Sequence, residues 1–381
     1  MNGERPQAAR YDGPTALAAT FLRLGLTAFG GPAAHIALME QEFVRRRQWL
    51  TTAEFLDLVG AASIIPGPSS TEVAIYIGYR RAGLLGLALA GTCFILPAAL
   101  IVSAIAWAYV RFGGLPTASA LLHGVEPVVV AVIAQALWTF GRTAMKTRLL
   151  AALGLTALVL DVLGVSPLLL LGIAGLVSAS ARVGSRSVLH GAGAPLVPLV
   201  AGAALSASAS LTKLFLVFLK AGAVVFGSGY VLLAFLRGDL VERLGWLTEK
   251  QLVDAIAVGQ ITPGPVFTTA TFVGYVLRGP VGALVATVGI FLPSFILVAA
   301  TAPFIPRLRR SRFAGGFLDG VNVASVGLMA AVSAQLARTA VVDAVTAGIA
   351  VVSLALLIRF RVNSTWLITG GALIGLAFSA R

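Results

Sequence analysis

A polytopic, all-helical membrane protein made of two homologous halves of opposite orientation is the fold that this sequence predicts, on three observations. Uninterrupted apolar stretches of about twenty residues recur along the whole chain. Long segments of the first half return in the second at an almost constant offset. The helix-breaking tripeptide Pro-Gly-Pro stands at matching positions in both halves.

Hydrophobic residues occupy 58% of 381 positions and charged ones 11%, too little charge to solvate a soluble globule of this size. Runs such as Leu84 to Tyr109 and Val281 to Phe304 have the length a helix needs to cross about 30 Å of hydrocarbon. They are apolar on every face, whereas barrel strands would alternate apolar and polar residues over short segments. The formal charge of +13 is not gathered into an aromatic-interleaved stripe of the kind that binds nucleic acid. The basic residues sit between apolar segments, where they act as topology determinants. Cys93 is the one cysteine, so no intramolecular disulfide is expected and it reads as a small hydrophobe. Met1 to Gly13 is polar and no small-residue cleavage site follows it, so the first membrane helix is expected to direct insertion.

The repeat is visible by eye. FLRLGLTAFGG from Phe21 matches FLKAGAVVFGS from Phe218, an offset of 197. The same offset pairs Trp49-Leu50-Thr51 with Trp246-Leu247-Thr248, Asp57 with Asp254, and Pro66-Gly67-Pro68 with Pro263-Gly264-Pro265. After a slip to 196 it pairs Gly78-Tyr79 with Gly274-Tyr275, Leu96-Pro97 with Leu292-Pro293, and Gly124-Val125 with Gly320-Val321. The expected organisation is a first repeat over 1–187, a linker over 188–210 and a second repeat over 211–381. Duplicated membrane halves are typical of secondary transporters.

Each half reads as a helix ending near Phe-Gly-Gly or Phe-Gly-Ser, a polar connector, two short arms meeting at Pro-Gly-Pro, and four apolar helices. The first set is expected near Thr15 to Ala34, Leu84 to Tyr109, Ser119 to Phe140, Leu149 to Leu163 and Pro167 to Arg182. The second is expected near Leu211 to Leu233, Val281 to Phe304, Phe317 to Ala337, Val341 to Ile358 and Thr365 to Phe378. Equivalent loops carry opposite charge bias: Arg142, Lys146 and Arg148 follow the third helix of the first set, where only Arg111 precedes it. In the second set Arg307, Arg309, Arg310 and Arg312 precede the equivalent helix and only Arg338 follows it, which implies inversion. If the Pro-Gly-Pro arms are re-entrant, about ten crossings result and the linker, with Arg182, Arg186 and His190, falls inside. Twelve or thirteen crossings is the alternative.

Two prolines flanking a glycine break a helix and leave backbone groups unpaired, which is tolerated at membrane depth only where the break lines a protein-enclosed or watery cavity. Each break starts a new helix, whose amides and positive dipole end favour an anion. The expected substrate-binding set is therefore Pro66, Gly67, Pro68, Ser69, Ser70 and Thr71 with Thr262, Pro263, Gly264, Pro265, Thr268 and Thr269, with Thr271 nearby. Plain helix capping by the hydroxyls is the competing explanation. Arg23 and Lys220 occupy equivalent positions inside the first helix of each half, where a cation is costly, and join the set; snorkelling is the alternative. Arg80 and Arg81 are candidates for an anion vestibule or for topology residues. Glu72, replaced by Thr269 in the other half, is a candidate for proton coupling. Asp57 and Asp254 are expected at the hairpin mouths. His35, His123 and His190 form no metal-ligand spacing, and Glu126 is placed to pair with His123 on one helix face.

FGGPAAHIALMEQEFV, the Trp49 step, PGPSSTEVAIYIGYRRAG and TPGPVFTTATFVGYVLRG resemble the chromate ion transporter family in its long, two-domain form, over nearly the whole chain. The resemblance implies export of chromate from the bacterial cytoplasm across the inner membrane, conferring resistance, with sulfate as a structural analogue. It also implies more than ten crossings. Expected partners are chromate or sulfate and the lipid bilayer, with no nucleic acid and a homodimer as an open option. No cofactor or metal is expected: a membrane redox enzyme is disfavoured because the sequence holds no haem ligand pair, cysteine pair or dinucleotide fingerprint. Sulfate or other oxyanion uptake, or a passive anion channel, remain alternative readings.

Overall fold

In the computed structural model the described residues are 13–29, 31–113, 115–183, 209–225, 231–304, 312–360, 362 and 364–379. They are helical throughout and include no strand. Four helical segments are long and apolar enough to cross a membrane: Ser69–Phe112, Ala120–Ala144, Val266–Thr301 and Gly315–Ala340. Shorter apolar helices cover Pro167–Arg182, Ala344–Phe360 and Ser364–Phe378. The chain is a polytopic membrane protein.

The first half opens with α1 (Gly13–Thr27) and α2 (Gly31–Glu40), which ends in a π-turn over Gln41–Arg46. One helix was expected over Thr15 to Ala34; instead the chain breaks after Thr27, and α1, at about 22 Å, is too short to cross. What folds α2 back along α1 is side-chain contact: Phe21 packs on Phe43 with ring centroids 5.1 Å apart, and Arg23 pairs with Glu42 at 2.7 Å. The second half repeats the device. There α8 (Leu211–Val224) is followed by α9 (Val231–Leu236) and a π-turn (Arg237–Arg243), so the single helix expected over Leu211 to Leu233 is also interrupted, and Lys220 pairs with Asp239. Arg46 and Arg243, 197 apart like Glu42 and Asp239, reach the same two carboxylates at 3.1 and 3.2 Å.

The Trp-Leu-Thr steps start the next helices, α3 (Thr52–Ala62) and α10 (Glu249–Ile261), through reciprocal capping boxes of Thr51 with Glu54 and Thr248 with Gln251. Beyond the first Pro-Gly-Pro lies α4 (Ser69–Phe112), and beyond the second lies α11 (Thr269–Thr301), preceded by a 3₁₀ turn. Each is two helices joined by a sharp turn at Ala82-Gly83 and Arg278-Gly279, where the glycines take φ of 56° and 63°. The arm 69–81 therefore returns beside α3: Arg80 pairs with Glu54 at 2.9 Å, and the Arg81 guanidinium lies over the Trp49 ring at 4.7 Å. The helix before the break and the arm after it thus form a helical hairpin, with Arg80 and Arg81 at the end of the arm.

Helices α5 (Pro116–Ala144), α6 (Arg148–Val162) and α7 (Pro167–Val183) have counterparts α12 (Arg312–Ala340), α13 (Ala344–Ala355) and α14 (Ser364–Ser379). The two sets are exchanged: α5 packs on α13 and α14, and α12 packs on α6 and α7. Glycines permit the close approach, Gly124 against Gly371 and Gly320 against the Ala174 carbonyl. Lys146, just past α5, and Arg182, near the end of α7, both reach Asp319 near the start of α12, at 2.9 and 2.6 Å. At the other end His123 of α5 meets Asp343, the cap of α13, at 3.2 Å. The Thr346 backbone amide and hydroxyl hold the Asp343 carboxyl below the usual carboxylate range. The equivalents α5 and α12 thus run in opposite directions. Arg186, His190, Arg307, Arg309 and Arg310 lie outside the described residues.

Glu42 is buried and gathers Arg23, Arg46 and Arg47, so its loss leaves three cations facing one another. Glu42→Ala should lower stability by about 1.5–3 kcal/mol, against less than about 1 kcal/mol for the exposed Arg46→Ala. Thermal unfolding in detergent checks this; equal effects would show that the cluster does not hold the hairpin.

Candidate functional site

At the two Pro-Gly-Pro breaks the chain must satisfy amides that no helix can serve. The Gly67 amide donates to the Val225 carbonyl at 2.7 Å, and the Gly264 amide donates to the Ala28 carbonyl at 2.8 Å. Gly67 and Gly264 are 197 apart, as are Ala28 and Val225, so each proline break is tied to the residue just past the first helix of the opposite half. Both glycines have positive φ, 136° and 90°, which other residues resist. Space excludes a side chain as well: a Cβ on Gly67 would run into the Glu72 carboxylate and the Ser294 hydroxyl, and one on Gly264 would overlap the Ala98 methyl. Ser294 and Ala98 are themselves repeat equivalents, 196 apart.

The two breaks share a backbone plan and differ in chemistry. At the second, Thr262, Thr268 and Thr269 donate their hydroxyls to the carbonyls of Val258, Pro265 and Val266 at 2.8–2.9 Å, and Thr271 bonds Thr287 at 2.7 Å. Those hydroxyls serve their own helix, in the manner of capping groups. At the first, the Thr71 and Glu72 amides close on the Pro68 carbonyl, at 2.8 and 3.1 Å, and α4 begins directly at Ser69. Ser70 bonds His35 Nδ1 at 3.2 Å, and Ser294 donates to Glu72 Oε1 at 3.3 Å. Thr71 Oγ1 and Glu72 Oε2 are buried with no partner. His35, 35 residues from Ser70 in sequence, is thus carried by α2 to the same place, with its ring edge-on to Phe94. Unused buried polar atoms gather at the first break, which is where a ligand or a proton has something to bind.

A cavity of about 310 Å³ adjoins this break. It is lined by Pro32 and Ala33 at the start of α2, Ser63 and Ser69 at the break, Thr143 and Lys146 at the end of α5, and Asp319, Asn322 and Ser325 on α12. A larger hollow of about 530 Å³ between α4 and α11 is almost wholly apolar.

Several sequence candidates are not brought to the breaks. Arg23 and Lys220 are engaged with Glu42 and Asp239, and Arg80 and Arg81 with Glu54 and Trp49. Glu42 and Asp239 share the 197 offset with the cations they serve, a signal by which the pairs could have been found. Asp254, expected at a mouth, is fully buried and accepts a hydrogen bond from the Tyr109 hydroxyl at 2.8 Å. Glu126 does not pair with His123. It is buried against Lys250 of the opposite half, because the helix face that carries both residues is split between two neighbouring elements.

The family model for the chromate transporter matches residues 15–179 and 212–376, once in each half. The chromate transport protein of Cupriavidus metallidurans is 35% identical over 364 residues, covering 93% of this chain and 91% of that protein. That of Pseudomonas aeruginosa is 34% identical over 337 residues, 84% of this chain and 80% of that one. The uncharacterized transporter YwrA of Bacillus subtilis is 30% identical over 126 residues, which are 33% of this chain and 71% of that protein, so a relative of about half the length exists. No solved structure matches the chain at a significant level. On two matched repeats and full-length relatives, the chain belongs to the chromate transporter family.

Proposed function

We propose that this protein exports chromate, a tetrahedral oxyanion, from the bacterial cytoplasm across the inner membrane and so confers chromate resistance. The carrying observation is the first break, where a helix start, an orphaned hydroxyl and a buried carboxyl group stand near a cavity that Ser69, Lys146, Asp319, Asn322 and Ser325 help to line, within a membrane-spanning fold. Pro66, Gly67 and Pro68 set the backbone there, and Ser69, Ser70 and Thr71 offer donors to the anion. Thr262, Pro263, Gly264, Pro265, Thr268 and Thr269 form the matching wall of the second half, with hydroxyls that brace their own helix. Arg23 and Lys220 act at a distance, by holding the first hairpins closed. Glu72 is the group that takes up or gives up a proton during the cycle.

Inverted orientation of the halves, 1–187 and 211–381, is supported by the charge of the two faces. Arg142, Lys146, Arg148 and Arg182 belong to one face and Arg111 and Arg338 to the other, and the basic face is cytoplasmic by the positive-inside rule. The cavity has Lys146 and Asp319 on the basic side. On the opposite side the equivalent helix face is bridged by the Glu126–Lys250 ion pair and the Tyr109–Asp254 hydrogen bond. Unequal chemistry on the two sides favours a carrier over a channel. Voltage favours export: at about 2.3 kcal/mol per charge per 100 mV, inside negative, a departing dianion gains about twice that.

Purified protein in proteoliposomes should show saturable chromate flux that sulfate inhibits. Gly67→Val should abolish flux while the protein still inserts; normal chromate affinity and flux in that variant would remove the break from the site. Glu72→Gln should keep chromate binding and lose the response of flux to a pH gradient, and an unchanged response would end its coupling role. For topology, cysteines placed at 148 and 359 should both be shielded from an impermeant thiol reagent in intact cells, and those at 111 and 338 both labelled. Opposite results within either pair would refute inversion.

A further inference from the structure

Three polar residues, Asp319, Asn322 and Ser325, stand at intervals of three along α12, inside a membrane segment where polar side chains are costly. All three line the cavity beside the first break. Ser325 is only 4% exposed, and its hydroxyl has no partner. Asp319 is fully used: its two oxygens take Lys146 and Arg182, at 2.9 and 2.6 Å, which leaves this end of the cavity with two cations against one anion. The donors left over are the Ser325 hydroxyl, the Asn322 amide and, on exchange of partner, the Lys146 ammonium. A site with excess donors and net positive charge suits an oxyanion rather than a cation.

The equivalent positions on α5 are His123, Glu126 and Val129, at an offset of 196. His123 meets Asp343 and Glu126 meets Lys250, so that stripe is consumed by ion pairs and its third place is apolar. The α12 stripe therefore has no counterpart in the fold plan; it is a feature of one side of the molecule.

We propose that α12 supplies the second wall of the oxyanion site: the anion sits between the start of α4 at Ser69 and the Asn322 and Ser325 side chains. On arrival it competes with the Asp319 carboxylate for Lys146, while Arg182 keeps Asp319 neutralised. This rests on the reading that the first break is the substrate site, and it assigns to binding three residues, Lys146, Asn322 and Ser325, that lie outside the proline motifs.

The test uses full-length protein in detergent and radiolabelled chromate in equilibrium dialysis, with sulfate as competitor. Ser325→Ala and Lys146→Gln should each weaken chromate binding about tenfold or more. Lys146→Arg should restore most of that loss, and Lys146→Gln should flatten the dependence of affinity on salt, neither of which a packing role would produce. Thermal unfolding of each variant reports folding, and Asn322→Asp, which adds a negative charge at constant size, gives a second probe that should bind chromate more weakly than Asn322→Ala. If Gly67→Val loses binding while the Ser325, Asn322 and Lys146 variants bind as the wild type, the α12 wall is wrong and the break remains the site. If the α12 and Lys146 variants lose binding while Gly67→Val does not, the site stands on α12 and the reading of the break fails. Wild-type binding in all of them overturns both.

Discussion

A backbone amide without a partner is intolerable at membrane depth, and the way this chain serves the amides of its two proline breaks fixes the rest of the architecture. Gly67 donates across the molecule to Val225, and Gly264 donates to Ala28. Each bond needs the end of the first helix of the other half, so neither half can satisfy its own proline break. The first helix of each half stops short to present that carbonyl, and an ion pair at Arg23 or Lys220 accompanies the turn of the chain that follows. Exchange continues farther out, where α5 packs on α13 and α14 and α12 on α6 and α7. The result is a scaffold with a two-fold plan in which the two breaks are tied across the halves, while α1 packs on α4 and α8 on α11 within each half.

On that symmetric plan the chemistry is unequal. Glu72 faces a site that Thr269 occupies in the other half, Ser294 answers to Ala98, and Ser325 answers to Val129. Buried polar atoms without partners are costly, so a fold that retains several of them in one place and satisfies their equivalents elsewhere is holding that place for something other than stability. Thr262, Thr268 and Thr269 show what the same residue types do when they serve only the backbone.

Much of this was legible in the sequence because it is written in offsets. The 197 and 196 registers found the two halves and the two breaks. The break after Thr27 was harder to see: Phe29 and its neighbours lie within an apolar run continuing to Ala34, and no proline interrupts it before Pro32. What forces the break is a hydrogen bond to residue 264, which no local pattern records. Long-range partners were lost for the same reason. Glu126 is three residues from His123, yet its cation, Lys250, is more than a hundred residues away. Asn322 and Ser325 look like ordinary polar positions until α12 is seen to border the first break.

Unequal chemistry on an equal scaffold also bears on direction. In an inverted repeat the two faces of the membrane are reached by equivalent routes, so a strictly symmetric protein would hold an anion alike from either side. Here one route carries Lys146 and the α12 donors, while the residues at the equivalent places are Val342 and Val129. The other route is crossed by Lys250 bound to Glu126 and by Tyr109 bound to Asp254. On the proposed orientation the donor-rich route faces the cytoplasm, where it captures the dianion that the inside-negative potential then drives outward. Affinity is then needed on the inner side alone, because once the site turns outward the potential itself opposes return.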